Sequence, residues 1–181
     1  MPSGVSVRLR PRRQIEGKFM YMVLQIPMRE QNYDFDCSLA VAWSYLKHSK
    51  IKVDYNTLLK LSKISPIDGL CPEKLVTLLK KFGLETNLEE HKNIRYLKNQ
   101  ITNKKPVIVL LQARKEYRKS WKNTWSHGHY CIVFGFDDFR VFIYDPYIGG
   151  IKLFTFDQFN NRWHDEWNNK KYTKSVIIKN E

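Results

Sequence analysis

Apolar residues recur with the period of an α-helix at four places in the first half of the chain. Between Asp36 and His48 they fall at every third or fourth position, which predicts a helix with one buried face. A second helix is predicted after Asp54, whose side chain suits an N-cap. A third is predicted from Pro72 to Gly83, because proline favours a first turn and glycine a helix end. A fourth is predicted from Asn93 to Asn103.

The second half of the chain carries the pattern of β-strands. Residues 107–111 form a continuous apolar run, which indicates a buried strand. The β-rich runs at 129–136 and 140–145 are separated by three residues, which predicts a hairpin. Three further strands and one short helix are predicted at residues 19–26, 151–156, 175–178 and 157–163. Helices followed by a mostly antiparallel sheet define an α+β domain.

Length and composition favour one globular domain at residues 19–181, preceded by a basic flexible arm at residues 1–18. The chain has 181 residues, of which 43% are hydrophobic. No uncharged apolar run approaches the ~18 residues of a transmembrane helix. The pattern of a secretory signal is missing, and three cysteines argue against a disulfide scaffold. We therefore expect a cytoplasmic protein, although secretion by a route without such a signal stays open. The sequence does not indicate an oligomeric state.

The net charge of +13 predicts attraction to polyanions. Residues 104–122 contain seven basic side chains and one acidic side chain, with Tyr117 and Trp121 among them. Because basic patches with aromatic residues bind phosphate backbones and stack bases, this segment is a candidate surface for an anionic partner. Two alternatives stay open. The segment is a solvated loop between two strands, or it overhangs a cleft and selects acidic peptides.

Cys37 is a candidate nucleophile because it stands at the predicted start of the first helix. The helix dipole and the free backbone amides at such a position stabilise a thiolate. The alternative is a cysteine that is simply buried. Gln31 precedes it by six residues, in the loop that leads into the helix. The amide of Gln31 and the backbone N–H of Cys37 would form a two-donor oxyanion hole, unless Gln31 is an ordinary exposed residue.

His129 and Asp145 stand at the two open ends of the predicted hairpin. Centring its turn on Asp138 places Cys131 opposite Asp145 and makes His129 a diagonal neighbour on the same face. The carboxylate would then orient the imidazole while the other ring nitrogen activates the thiol. A slip of one residue would put the two groups on opposite faces. The alternative is a buried histidine and an aspartate that begins a turn.

A zinc site is a competing interpretation of the same region. His127, His129 and Cys131 alternate and would share one face of an extended strand. Gly128 weakens a strand at this point and no fourth ligand is obvious, so we expect no metal and no cofactor. Cys71 is interpreted as structural. Three histidines without a partner pattern are interpreted as surface residues: His48, His91 and His164.

Taken together, these residues make the chain resemble the papain-like C39 peptidases, the family that trims double-glycine leaders in bacteriocin export. The matching segments span roughly residues 26–163 and are QNYDFDCSLAVAWSYL, DGLCPEKLVTLLKKFGL, KPVIVLL, GHYCIVFGFDDFRVFIYDP and FDQFNNRW. The resemblance implies a papain-like fold, with N-terminal helices packed on a C-terminal antiparallel sheet. It implies that Cys37 is the nucleophile, His129 the general base, Asp145 the orienting acid and Gln31 the oxyanion donor. Ser38 stands where the family usually has glycine.

The function implied by this resemblance is that of a cysteine peptidase, a thiol-dependent amide hydrolase acting on a peptide or protein. Such chemistry needs no cofactor or metal. The alternatives are a catalytically silent C39-like module that binds peptides, a papain-like deamidase or transamidase, and a toxin domain. The D-C-x-L-A pattern also occurs in papain-like proteins described as guanylyl cyclase domain proteins.

Overall fold

The computed structural model of the protein describes residues 21–180, so the predicted basic arm at residues 1–18 lies outside the described residues. The elements in chain order are β1 (Met22–Val23), α1 (Cys37–His48), α2 (Tyr55–Ser62), α3 (Pro72–Lys81), β2 (Thr86–Glu89), α4 (Ile94–Thr102), β3 (Val107–Gln112), a 3₁₀ turn (Trp121–Asn123), β4 (Gly128–Phe136), β5 (Arg140–Asp145), β6 (Gly150–Thr155), α5 (Phe156–Arg162), β7 (His164–Trp167), β8 (Lys170–Thr173) and β9 (Val176–Lys179). The α+β prediction is confirmed.

The main sheet is antiparallel and has the strand order β2-β9-β3-β4-β5-β6. Strand β4 lies near its centre. Strand β1 pairs with Gly135 and Phe136 at the end of β4, beyond the residues of β4 that pair with β3. Strands β7 and β8 form a separate two-stranded sheet. The backbone of His129 is held by its pairing with Leu111 of β3.

The four helices predicted in the first half of the chain are confirmed, and local capping explains where they begin. Asp54 accepts a hydrogen bond from the backbone N–H of Thr57, and Asn93 accepts one from that of Tyr96. Helix α3 begins at Pro72, and after it Gly83 takes a φ of +77° that favours glycine. The predicted short helix before Trp163 is also present, as α5.

Helix α1 packs against the sheet, with contacts to β4, and is the most deeply buried helix of the fold. Its first three turns carry a run of small and branched apolar side chains with no exposed surface: Leu39, Ala40, Val41, Ala42 and Leu46. Short side chains let the helix approach the strands closely, and burial on several sides fixes its position. The helix end that carries Cys37 is therefore held by the core itself.

The β4–β5 hairpin has the predicted register at its open end, but its turn is centred between Asp138 and Phe139 rather than on Asp138. Ile132 pairs with Tyr144 as predicted, whereas nearer the turn Gly135 pairs with Phe142, one residue out of that register. A β-bulge between Val133 and Gly135 absorbs the difference. Gly135 is needed there because a Cβ atom would lie 2.8 Å from the backbone oxygen of Met22.

Strands β2, β7 and β8 were not predicted. Their sequences are short and largely polar (TNLE, HDEW and KKYT), so they lack the alternation of apolar residues that predicts a strand. The turn between β7 and β8 does carry a signal, because Asn168 and Asn169 both take positive φ angles of 47° and 63°. Two successive residues of this kind form the hairpin turn that asparagine favours.

The prediction that His164 lies on the surface is wrong. His164 begins β7, is only 6% exposed, and its Nε2 lies 2.7 Å from the backbone oxygen of Thr124. Its ring packs against that of Trp125, with centroids 4.3 Å apart. The residue therefore fastens β7 to the loop before β4, a contact between segments 40 residues apart that local sequence cannot reveal.

The basic segment at residues 104–122 is not a single patch. Strand β3 occupies its middle and is fully buried, so Lys104 and Lys105 lie at one end of the strand while the other five basic residues follow its far end. A six-residue strand spans about 20 Å. The anionic-partner hypothesis stays a prediction, restricted to residues 114–122. Within residues 21–180, no helix combines the length and hydropathy needed to cross a membrane.

Replacing Leu58 by alanine should lower the free energy of unfolding by about 2–5 kcal/mol, because its fully buried side chain would leave a cavity. Leu61 lies on the same helix but is 43% exposed, so Leu61→Ala should cost much less. Chemical denaturation of both variants measures the difference. Equal losses would contradict the orientation of α2.

Candidate active site

The site is built on a hydrogen bond between the side chains of His129 and Asp145. His129 Nε2 lies 2.7 Å from Asp145 Oδ1, and both side chains are buried. Asp145 Oδ1 also accepts a hydrogen bond from the backbone N–H of Tyr147, and Lys152 Nζ lies 2.5 Å from Oδ2. The hairpin register thus brings this predicted pair into direct contact.

The electrostatics of the pair keep the carboxyl group ionised and favour a protonated imidazole. Burial alone would raise the pKa of Asp145, but the hydrogen bonds and charges of His129 and Lys152 outweigh it, and the pKa is lowered. Burial would likewise lower the pKa of His129. Its interactions with Cys131, Asp145 and Cys37 overcome this effect, so the pKa of His129 is raised well above its usual value.

Two thiols interact with the His129 imidazole, and they differ in their access to solvent. Cys37 is the first residue of α1, is half-buried and lines a cleft. Cys131 follows His129 by two positions on the same face of β4 and is 1% exposed. Burial raises the pKa of the Cys131 thiol, which stays neutral. Because Asp145 holds Nε2, the other ring nitrogen, Nδ1, is left for a thiol.

The loop before α1 is organised by Asp36, a fully buried residue that the sequence analysis did not single out. Its carboxylate accepts hydrogen bonds from the backbone N–H groups of Asn32 and Tyr33 and from the hydroxyl of Tyr55, the last at 2.7 Å. The side chain does not cap the helix that it precedes. Asp36 binds the backbone of the preceding loop instead, and this fixes the conformation of the loop that leads to Cys37.

Gln31 lies in this loop and lines the same cleft. Its backbone N–H donates to the backbone oxygen of Pro146 at 2.8 Å, which attaches the loop to the end of β5 beside Asp145. Its side-chain Nε2 donates to the backbone oxygen of Tyr33 at 2.7 Å, so one of its two N–H groups is already engaged. Its Oε1 is buried without a hydrogen-bond partner.

The four residues that sequence analysis selected meet at one cleft of about 590 Å³. Helix α1 and the preceding loop form one wall, with Cys37 and Gln31. Strands β4 and β5 form another, with His129 and Asp145. Ser38 also lines the cleft, and its buried hydroxyl has no hydrogen-bond partner.

The zinc interpretation does not hold in the form that the strand pattern suggested. Within residues 21–180, the group able to surround an ion is His129, Cys131 and Asp145, whose candidate ligand atoms lie within 4.8 Å of one another. His127 does not belong to it. Lys152 already places a positive charge on Asp145, which opposes a second cation at the same oxygen atoms.

Sequence reasoning missed two further charged residues at the site. Lys152 comes from β6, and the pairing of β5 with β6 brings it to Asp145. Asp165 comes from the unpredicted strand β7, lines the cleft and is buried. Asp36 did carry a local signal, since an aspartate directly before a helix start is typical of a cap, although its actual role differs.

Comparison with known proteins gives a match over most of the chain. The sequence profile of the Peptidase_C39 like family matches residues 23–173. The chain belongs to this family. No curated protein sequence matches it significantly.

Solved structures support the papain-like fold of this C39-like chain. A protein from Bacillus anthracis described as a C39-like peptidase has a TM-score of 0.71 at 17% identity, covering 90% of this chain and 98% of its own. The peptidase domain of Streptococcus ComA, a bifunctional ABC transporter of a quorum-sensing pathway, has a TM-score of 0.64 at 24% identity, covering 86% and 98%. A double glycine motif protease from an AMS/PCAT transporter, in complex with its leader peptide, has a TM-score of 0.59 at 16% identity, covering 88% and 95%.

The charges around His129 make two substitutions act in opposite directions. Asp145→Asn should lower the pKa of His129, because the carboxylate stabilises the imidazolium. Lys152→Gln should raise it, because a positive charge beside the pair is lost. NMR titration of the ring resonances measures both shifts. Asp157→Asn, a charge change on the exposed start of α5, serves as the control, and an unmoved titration in Asp145→Asn would contradict the pairing.

Proposed function

We propose that this C39-like protein is a cysteine peptidase, with Cys37 as the nucleophile, His129 as the general base and acid, Asp145 as the orienting group and Gln31 as an oxyanion donor. The observation that supports the proposal is the convergence of these four side chains on one cleft, from two strands, a helix start and a loop. Family membership supports the same chemistry.

The proposed mechanism assigns one step of peptide hydrolysis after another to these side chains. The site favours the imidazolium form of His129, so the proton of the Cys37 thiol passes to this ring, and the resulting thiolate attacks the carbonyl carbon of a peptide bond. The backbone N–H of Cys37 and the second N–H of Gln31 Nε2 stabilise the oxyanion. The imidazolium then gives its proton to the leaving amine as the C–N bond breaks, and a thioester remains. Water, deprotonated by His129, releases the acyl group and restores the thiol.

Solvent access favours Cys37 over the other two cysteines as the nucleophile. Cys131 contacts the same imidazole, but its side chain is 1% exposed and its raised pKa keeps it neutral. Cys71 precedes α3 and does not belong to the cleft lining. A substrate carbonyl group in the cleft can therefore be attacked by the thiol of Cys37, which has His129 beside it as a base.

An extended peptide is the substrate class that the comparisons favour. The double glycine motif protease was solved with its leader peptide, and its fold covers 88% of this chain. The cleft volume of about 590 Å³ has room for several residues of such a peptide.

Cys37→Ala should reduce peptide hydrolysis to background and abolish labelling by a thiol-directed peptidyl probe, while the melting temperature changes little. Cys71→Ala is the matched control and should keep both activities. Hydrolysis of a peptide library, followed by mass spectrometry, measures turnover, and peptide mapping locates the label. Label that persists in Cys37→Ala at Cys131 would remove the assignment, and tight binding without turnover in the parent would favour a silent binding module.

Gln31→Ala should lower kcat by about 10²–10³-fold with a smaller change in KM, because an oxyanion donor acts mainly in the transition state. Asn32→Ala is the neighbouring control, since its exposed side chain contacts Arg29 rather than the cleft. Steady-state kinetics on one cleaved peptide compares them. A Gln31→Ala enzyme with unchanged kcat would contradict the donor role.

A further inference from the structure

The cleft has the opposite charge to the rest of the chain. The formal net charge of the protein is +13. Among the described residues that line the cleft, five are Asp or Glu and two are Lys or Arg. Lys152 is paired with Asp145, so four carboxyl groups and the guanidinium of Arg114 remain. Those four acids are Asp34, Asp68, Asp165 and Glu166.

Of these four acids, Asp165 lies against Gly128, the residue that directly precedes His129. A Cβ atom added at Gly128 would lie 2.1 Å from Asp165 Oδ2, so the carboxyl group covers the Cα of Gly128. Gly128 directly precedes His129, and consecutive Cα atoms lie about 3.8 Å apart. Since an extended peptide advances about 3.3 Å per residue, Asp165 lies within about three substrate residues of the scissile bond.

A buried amide holds Asp165 in this position. Gln112 Nε2 donates to Asp165 Oδ1 and to the backbone oxygen of His164, each at 3.1 Å, while its Oε1 accepts from the backbone N–H of His127 at 3.0 Å. One fully engaged glutamine therefore fixes β7 against the start of β4. Asp165 is only 5% exposed, so its carboxyl group is rigid and largely dehydrated before any substrate binds.

The surroundings of Asp165 suit a long side chain with a charged end. Trp125 and Trp167 both line the cleft, and Trp167 comes from the strand that carries Asp165. Lysine and arginine place their methylene groups against apolar surfaces and keep the charged end on a polar group. Indole rings also attract cations directly. The Trp125 ring already has such a contact, since Lys171 Nζ lies 4.8 Å from its centroid.

We propose that Asp165, assisted by Glu166, is a specificity-determining residue that binds a lysine or arginine side chain of the peptide substrate within three residues of the scissile bond. The proposal rests on the proposed function in that the same cleft receives the peptide. It reverses the expectation that the basic segment selects acidic peptides, because, within residues 21–180, four unpaired carboxyl groups line the cleft, whereas Arg114 is the one basic residue of segment 114–122 that does.

The net positive charge of the chain opposes a cationic substrate, but only at a distance. At physiological ionic strength charges farther apart than about 8 Å are largely screened. A side chain in contact with a buried carboxylate is screened much less. The contact therefore decides the preference, and raising the salt concentration should reduce it only weakly.

Binding measured without chemistry tests the proposal. The Cys37→Ala protein is titrated with fluorescein-labelled peptides that are identical except for lysine, norleucine or glutamate at one position. Lysine should bind about 10-fold or more tightly than norleucine at one position, and glutamate more weakly than either. Asp165→Asn removes the charge but keeps an acceptor for Gln112, and it should bring lysine and norleucine within about twofold. Asp157→Asn, outside the cleft, should leave the ratio unchanged.

The pH dependence of the lysine-to-norleucine ratio gives a second measurement. Burial raises the pKa of Asp165 to about 7, so its carboxyl group is largely protonated at pH 6 and ionised at pH 8. The ratio should therefore rise with pH across this range and stay flat in Asp165→Asn. The titratable groups that act on Asp165 are Glu166 on its own strand and His129 and Tyr130 on β4, and these affect both peptides.

Each outcome separates this proposal from the peptidase assignment. Equal binding of lysine and norleucine peptides at every position, or a preference that survives in Asp165→Asn, overturns the role of Asp165 whether or not the parent enzyme cleaves peptides. A lysine preference without hydrolysis by the parent supports this role and overturns the peptidase assignment. Should Asp165→Asn not fold, Glu166→Gln at a half-buried position replaces it, and an unchanged ratio there overturns the proposal.

Discussion

The hydrogen bond between His129 and Asp145 is the constraint on which the site depends, and it is set by strand register. Side chains alternate between the two faces of a strand, so a slip of one residue in the β4–β5 pairing would place the imidazole and the carboxylate on opposite faces. The hairpin reaches the required register only through the bulge before Gly135, which compensates for the position of its turn. The bulge, although it lies away from the site, therefore preserves the register that brings His129 to Asp145. Strand β1 contacts the hairpin at this bulge.

The second constraint is the buried carboxylate of Asp36, which joins the helix to the sheet at the cleft. By binding two backbone N–H groups of the preceding loop and the hydroxyl of Tyr55, it replaces the hydration that those donors would lose on burial. The loop that it shapes is attached to β5 through Gln31 and Pro146. Cys37 and Asp145 thus belong to one hydrogen-bonded frame, although they are far apart in sequence.

Local periodicity was enough to predict the helices and the central hairpin, because each buries one face along a continuous stretch. It was also enough to select Cys37, His129, Asp145 and Gln31 as neighbours in space, with help from the family resemblance. It could not find β7, a polar strand that has no apolar alternation and is held by His164 and Gln112 through long-range contacts. The same limit explains Lys152, which reaches Asp145 only through pairing of β5 with β6. The buried strand that divides residues 104–122 was itself predicted from its apolar run.

Two aspartates in one cleft are placed in opposite electrostatic states by their neighbours. Asp145 has an imidazole, an ammonium group and a backbone N–H around its carboxylate, which lowers its pKa and keeps it charged. Asp165 is bound by the neutral amide of Gln112 and lies beside Glu166, so burial dominates and its pKa is about 7. The first carboxylate is therefore committed to orienting His129 at any physiological pH. The second stays responsive to whatever cation enters the cleft, which separates the chemistry of the site from its selectivity.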